Sequence, residues 1–458
     1  MVAKSFDRTR LARTVGALAI LGLLTSGVAA QAPAVKPDAV KATGVFPVTA
    51  ETSLVIRGVP GQIVVTAKPA RELRFTSRTK DRSGSDRALG VGFSGPTVTL
   101  APPPGATFPD GILRVEAPAS FSVRVESLGG TVLVDGFAGP VGIVGRGTAV
   151  RAKALIGPFD ADIEGGSLSL ADVGGLVTVR LGAAAKLAAT NLRGGLDVNS
   201  QDASFKVQGV AGACRLEARG GSGELAGLAA GGVLRLSESA LRLTGGRGDV
   251  TVTSDAAVDF SNMAASMRFD MDGGTLRGKG NQGSVEVRAR RTDVNLEAIV
   301  GALRIEGEGL KTKLAGISGR LNLDVTRGNV LLQRMSGPVN AVIIAGDAQL
   351  LELQGAVRLD IDGGNAELSW AAITGEEDTL LESRGGDIAV RFPVSASCRV
   401  TAKTNSGRIT SDSPSIKVPA GATEAQGALG QGRGPLIGIE ANGNIHLSAG
   451  AKSPASPS

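Results

Sequence analysis

Four phrases in this chain open on glycine and then alternate apolar with polar residues: GALRIE at Gly301, GRLNLD at Gly319, GPVNAV at Gly337 and GAVRLD at Gly355. Their glycines stand 18 residues apart. The same phrase recurs upstream at Gly139, Gly157, Gly175, Gly212, Gly231, Gly248, Ala265 and Gly283, in single or double steps that drift by a residue or two. Each period holds a second strand-like run, such as TDVNLEAI from Thr292, LKTKLAGI from Leu310 and NVLLQRM from Asn329. Period-two alternation broken by frequent turn residues describes short half-buried strands and excludes amphipathic helices. A fixed period of this length, with no helix between strands, predicts an all-β parallel β-solenoid in which each coil rests on the last. Roughly fifteen coils at ~4.8 Å each would make a rod about 70 Å long.

Composition supports this and weakens its main rival. Gly fills 66 of 458 positions, which suits a chain with many tight corners, while aromatics are 3% and Tyr is absent. An outer-membrane β-barrel also alternates, but it needs aromatic girdles at both interfaces. With Trp370 as the single Trp, this chain has little to build them from.

The N-terminus carries Lys4, Arg8, Arg10 and Arg13, then an apolar stretch from Val15 to Leu24, then the small residues Val28, Ala29 and Ala30. That order predicts a secretory signal peptide over residues 1–30 and an exported protein of the bacterial periplasm or cell surface. The apolar stretch falls short of the ~20 residues of a spanning helix, so no transmembrane segment is expected in the mature chain. Cleavage removes four basic residues and Asp7, so the formal charge of +6 falls to +3, too near neutral for a nucleic-acid binder. The expected layout is a linker at 31–44, an N-terminal β segment or cap at 45–126, and the solenoid at 127–412. A Gly/Ala/Pro-rich loop at 413–434, closing strands at 435–448 and a disordered tail at 449–458 complete it.

Outward positions on the first strand of each coil pair opposite charges: Arg215 with Glu217, Arg268 with Asp270, Glu286 with Arg288, Arg304 with Glu306, and Arg358 with Asp360. The reversal at Glu286 predicts a checkerboard, with Arg268 over Glu286 over Arg304. Like charges stacked between strands would be unfavourable. Cys214 and Cys398 both fall at inward positions about ten coils apart, beyond the ~7 Å between the Cα atoms of a disulfide.

Catalytic material is thin. His446 is the single His, expected on the surface, so neither a His-based triad nor a multi-His metal site can be assembled. Asp270 with Asp272, and Asp360 with Asp362, place two carboxylates on one strand side, a spacing that glycosidase pairs share and that any Asp-x-Asp before a turn also produces. A calcium-type nonapeptide is nearly matched at Gly245, but Asp249 comes one residue early and no tandem copy follows. Arg288, Arg290 and Arg291 form a short basic cluster among acids. The stretch GGRGDVTVT from Gly245 contains Arg-Gly-Asp, yet it runs straight into a strand, with Gly248 at the coil corner and Val250 and Val252 inward. No catalytic, cofactor or metal residue is expected.

Residues Ile112 to Gly145 and Leu380 to Pro414 resemble the bacterial putative-adhesin family of β-solenoid domains of unknown function. FPVTAETSLVIRGVPGQIVVTA from Phe46 resembles the family's N-terminal hairpins, and PLIGIEANGNIHL from Pro435 its last coil. The resemblance covers most of residues 45 to 448. It implies an exported, non-enzymatic envelope protein and transfers no catalytic residue. The expectation is a structural or interaction protein that meets an envelope protein or surface glycan through an extended strand face. The alternatives are a polysaccharide-acting β-helix enzyme and a protein-binding component of envelope stress or assembly.

Overall fold

The computed structural model describes residues 39–49, 51–79, 86–104, 109–373 and 375–450. The signal peptide read in residues 1–30 lies outside them, as do most of the linker and of the tail. Among the described residues every regular element is a strand. A typical coil holds two: Val285–Arg290, with Val285, Val287 and Ala289 buried, and Asp293–Val300, with Val294, Leu296 and Ile299 buried. Strands of the first kind stack in parallel into one face, and strands of the second kind into another. The inward side chains of both share one apolar core, where each buried Val or Leu contributes ~1.5–3 kcal/mol over its exposed state.

Register reproduces the period. Val285 lies between Met267 and Leu303, 18 residues to either side. Fifteen first-face strands follow in chain order from Ser122–Leu128 to Thr379–Ser383, which matches the expected count. The step shortens to 17 between Val250 and Met267, and lengthens to 22 between Arg358 and Leu380.

Two backbone devices turn the corners. Near the end of each second-face strand from Thr131–Asp135 to Ala348–Leu353, or just past it, one residue takes a positive φ, in a column that runs from Gly136 (φ 84) through Asn191 (φ 56) and Gly245 (φ 58) to Glu352 (φ 57). The repeated glycines form the other corner column. A Cβ on Gly319 would lie 2.2 Å from the Gly301 carbonyl oxygen, and one on Gly337 would lie 2.0 Å from that of Gly319. Glycine is therefore required at corners such as Gly319, where a positive φ and backbone packed on backbone coincide, while Ala265 fills the same column without a positive φ.

Both ends depart from chain order. At the N-terminal end, the coil of Ser53–Arg57 and Gly61–Lys68 is the first in sequence but the second in the stack. Val55 pairs with Thr99 on one side and Arg124 on the other, and Gln62 with Ile112 and Thr131. Outside that layer, Glu72–Thr79 runs antiparallel to Gly111–Pro118, and Leu89–Ser94 antiparallel to Thr97–Ala101. The outermost strands are Ala39–Lys41, inside the expected linker, and Thr43–Pro47.

The far end corrects an expectation. Leu436–Ala441 and Ile445–Ala449 do not form the last coil. Ile437 sits between Thr379 and Val400, and Ile445 between Ile388 and Ile409, so this pair is slotted between the coils at 379–392 and 398–411. The cover comes instead from the segment read as a loop. Glu424–Leu429 runs antiparallel on Cys398–Thr404 and carries Ile416–Lys417 on its own outer side. Antiparallel strands at both ends turn away the edges that an open solenoid would offer to other chains.

Candidate functional site: a mixed-charge face and its groove

The outward side chains of the first face form an ordered polar surface. Arg268 lies 3.7 Å from Asp270 and 3.9 Å from Glu286, and Arg288 lies 2.9 Å from Glu286 and 3.7 Å from Glu306. Arg304 closes on Glu306. Six charges thus alternate in a zigzag over three coils, with Arg268, Glu286 and Arg304 in one register column as expected. A second such contact set joins Arg215 to Glu217 at 2.7 Å and Arg235 to Glu217 at 3.1 Å, and both arginines hold the Glu217 carboxyl below its usual range, Arg215 foremost. A depressed carboxylate contributes stability above its unfolded pKa and loses it on acidification, so the Glu217 contacts weaken as pH falls through the carboxylate range.

These side chains are a third to two thirds exposed, so each pair is worth only ~0–1 kcal/mol. Replacing Glu286 by Lys puts a fourth cation beside Arg268, Arg288 and Arg304. Thermal unfolding is expected to begin slightly lower, and a clear gain in melting temperature would contradict the lattice.

A groove of about 540 Å³ runs beside the lattice, lined by Asp255, Asp270, Asp272, Arg288, Arg290 and Glu306. Leu236, Ser254, Met271, Ala289 and Gly307, which occupy one register column, line it as well. Sequence reasoning passed over this groove, although the small residues Ser254, Ala289 and Gly307 in one inward column were a signal of it.

The structure separates the remaining sequence candidates. Asp272 bonds Arg291 at 2.8 Å, and that hydrogen bond holds its carboxyl below the usual range, opposite to what a general acid needs. Asp360 contacts Arg384. Asp272 and Asp362 are five register steps apart, roughly 24 Å at ~4.8 Å per coil, so the two Asp-x-Asp pairs form no common site. Of the basic cluster, Arg288 and Arg291 are paired to acids and Arg290 lines the groove. His446 is exposed, with Nε2 3.4 Å from Asp412 Oδ2 and Nδ1 3.0 Å from Thr410 Oγ1. Among the described residues no group of three or more His, Cys, Asp or Glu is arranged to hold a metal ion.

In the Arg-Gly-Asp stretch, Gly245 belongs to the positive-φ column, Arg247 bridges to Ala264 of the next coil, and Asp249 is exposed while Val250 and Val252 are buried. The tripeptide is a coil corner rather than a projecting loop.

Cys214 and Cys398 are both buried and free, separated by eleven register steps or roughly 50 Å. Burial pushes the Cys214 thiol up to about 12 and the Cys398 thiol up to about 11. Thiolate is the reactive form. A colorimetric thiol reagent at pH 8 is therefore expected to detect neither cysteine in the native protein and both after denaturation. Rapid native labelling would show that the coils around them open.

These features define a capped parallel β-solenoid with a mixed-charge lattice on one face. No protein-family model matches the chain, and no curated protein does. Two solved structures are similar to it. One is a putative cell adhesion protein from Clostridium sporogenes, 8% identical, with 90% of this chain and 100% of that chain covered and a TM-score of 0.14. The other is a putative adhesin from Bacteroides fragilis, 14% identical, with 55% of this chain and 98% of that chain covered and a TM-score of 0.17.

Proposed function

We propose that this protein is an exported, non-catalytic scaffold of the bacterial envelope that holds an extended charged partner along its first face. The observation that carries this reading is the alternating row from Asp270 to Arg304, with the groove beside it. These charges stand on hydrogen-bonded strands rather than loops, so little ordering entropy is lost when a partner is bound. Coils at ~4.8 Å intervals suit a repetitive ligand, a surface glycan with ionic groups or an extended segment of an envelope protein. Electrostatic complementarity of this kind provides specificity and steering more than raw affinity.

The test is capture of envelope components by the immobilised protein, followed by crosslinking. Retention is expected at 0.15 M salt, where the screening length is ~8 Å, and loss is expected near 1 M, where it is ~3 Å. The double variant Arg268→Glu with Arg288→Glu should lose the same components, while Asp249→Ala should keep them. Capture indifferent to both salt and charge reversal would remove this face from the function. Loss with Asp249→Ala alone, the fold being intact, would restore the Arg-Gly-Asp corner as a recognition element.

A further inference from the structure

The slot at the far end of the stack is the one place at that end where a layer is supplied out of chain order. The strand pair at 436–449 buries Ile437, Ile439, Ala441, Ile445 and Leu447 between two coils that precede it in sequence. Its partners on one side are 57–58 residues away, against 17–22 along the in-order coils. The chain reaches this slot from outside. After the coil at 398–411 it runs across the end of the stack as Glu424–Leu429, then turns back inward. The turn is the sequence GQGRG, in which Gly430 and Gly432 hold φ of 59 and 62.

The outer coil at 398–411 pairs with no strand of the coil at 379–392 and meets the stack through the inserted pair, so this end is complete only once that pair is in place. Non-local pairing of this kind forms late, because the loop must be closed before any contact rewards it. An identical pair from a second copy would make every one of the same contacts. The exchange costs only what happens at the hinge and the entropy of bringing two chains together.

We propose that the slot accepts the closing strand pair of a second copy, so that the protein forms strand-exchanged dimers joined at this end. The two flanking coils are already in register with each other through the inserted pair, Thr379 and Val400 on Ile437, Ile388 and Ile409 on Ile445. An identical pair carries the same register for both walls, because it is the pair itself that aligns them. The hinge length is the control. At 430–434 it lets the pair fold back onto its own slot, and shortening it removes that option while leaving the slot unchanged.

The test uses full-length chains. Glu382 and Glu440 are register neighbours with outward side chains, so cysteines there can bond. A Glu382→Cys chain and a differently tagged Glu440→Cys chain are refolded together under reducing conditions, then oxidised. The expected product is a covalent dimer of twice the chain mass carrying both tags. Its yield should rise with protein concentration during refolding and rise severalfold when Gln431 to Arg433 are deleted. Ala389→Cys with His446→Cys, on the second face, repeats the measurement independently. A single chain carrying both members of either pair should form the bond internally at low concentration. If those internal bonds form while the mixed chains give no dimer at any concentration, with or without the deletion, the exchange is overturned.

Discussion

Gly319→Ala is expected to open the solenoid between two coils. Gly319 sits at φ 140, and a Cβ there would lie 2.2 Å from the Gly301 carbonyl oxygen. Relief cannot come from rotating a side chain, because the obstacle is backbone. Nor can the coils move apart freely: their separation is fixed by ladder bonds such as Leu303 N–H to Arg320 O at 2.9 Å and Leu321 N–H to Pro338 O at 3.0 Å. Backbone strain of ~1–3 kcal/mol adds to an overpacking cost of ~1–3 kcal/mol, so the loss should be several kcal/mol. In a solenoid each coil touches only its neighbours, so the loss should be local. Hydrogen exchange should quicken in Leu303–Glu308 and Leu321–Thr326, and not in Val141–Arg146. Gly142→Ala is the control, since nothing lies within 4 Å of a Cβ at that outward position. Unchanged protection at 303–326 would refute the backbone-on-backbone account of the repeat.

The sequence made the coil legible and left the ends illegible, for a physical reason. Inward Val285, Val287, Leu303 and Ile305 follow from alternation alone, and so do the buried positions of Cys214 and Cys398 and the column of Arg268, Glu286 and Arg304. Alternation says which way a side chain points. It carries no information about which layer a strand joins, because GIEANGNIHL satisfies the same inward pattern at the end of the stack or one layer inside it. The strand Glu424–Leu429 was hidden differently: its Ala and Gly residues read as a loop, and only its antiparallel partner Cys398–Thr404 makes it a strand.

A finer signal for the layer order was present in the Gly-Asx dipeptides. Asn329, Asp347, Asn365, Asp387 and Asn444 each follow a corner glycine. The side-chain oxygen of each accepts the backbone N–H one layer further on: from Asp347 at 3.3 Å, Asn365 at 2.9 Å, Asp387 at 3.0 Å, Asn444 at 2.7 Å and Arg408 at 3.0 Å. Asp387 is followed in this ladder by Asn444 rather than by Arg408, although Arg408 is nearer in sequence. Arg408, in the last of these coils, has no further layer to bond and is the one member without an Asx side chain. The dipeptide therefore records the stacking order that the apolar pattern omits, and the groove was missed for a related reason: Met271, Ala289 and Gly307 all satisfy the inward pattern, and only their sizes differ.

Size along a column also sets the second large effect. On the second face Leu243, Phe260, Gly278, Leu296 and Leu314 occupy one inward register column. Judged by its neighbours, Gly278 looks like a defect that Leu would repair. The opposite is expected, because the Phe260 ring lies over Gly278 and a Cβ there would come within 2.0 Å of it. The ring is also stacked on Phe269 from the first face, with centroids 5.3 Å apart, so it cannot swing away without losing that contact. Gly278→Leu should therefore destabilise the coils around it by more than the ~1–3 kcal/mol typical of overpacking. Combining it with Phe260→Ala should recover much of that loss, although Phe260→Ala alone should cost ~3–5 kcal/mol through the cavity it leaves. A coupling this large between register neighbours is the signature of shared volume. Phe205 over Gly223, where the Cβ would come within 1.9 Å of the ring, repeats the arrangement in the column of Leu187 and Leu241 and should give the same sign. Additive losses in the double variants, measured by denaturant unfolding, would mean that the rings have other room and that these glycines serve the backbone instead.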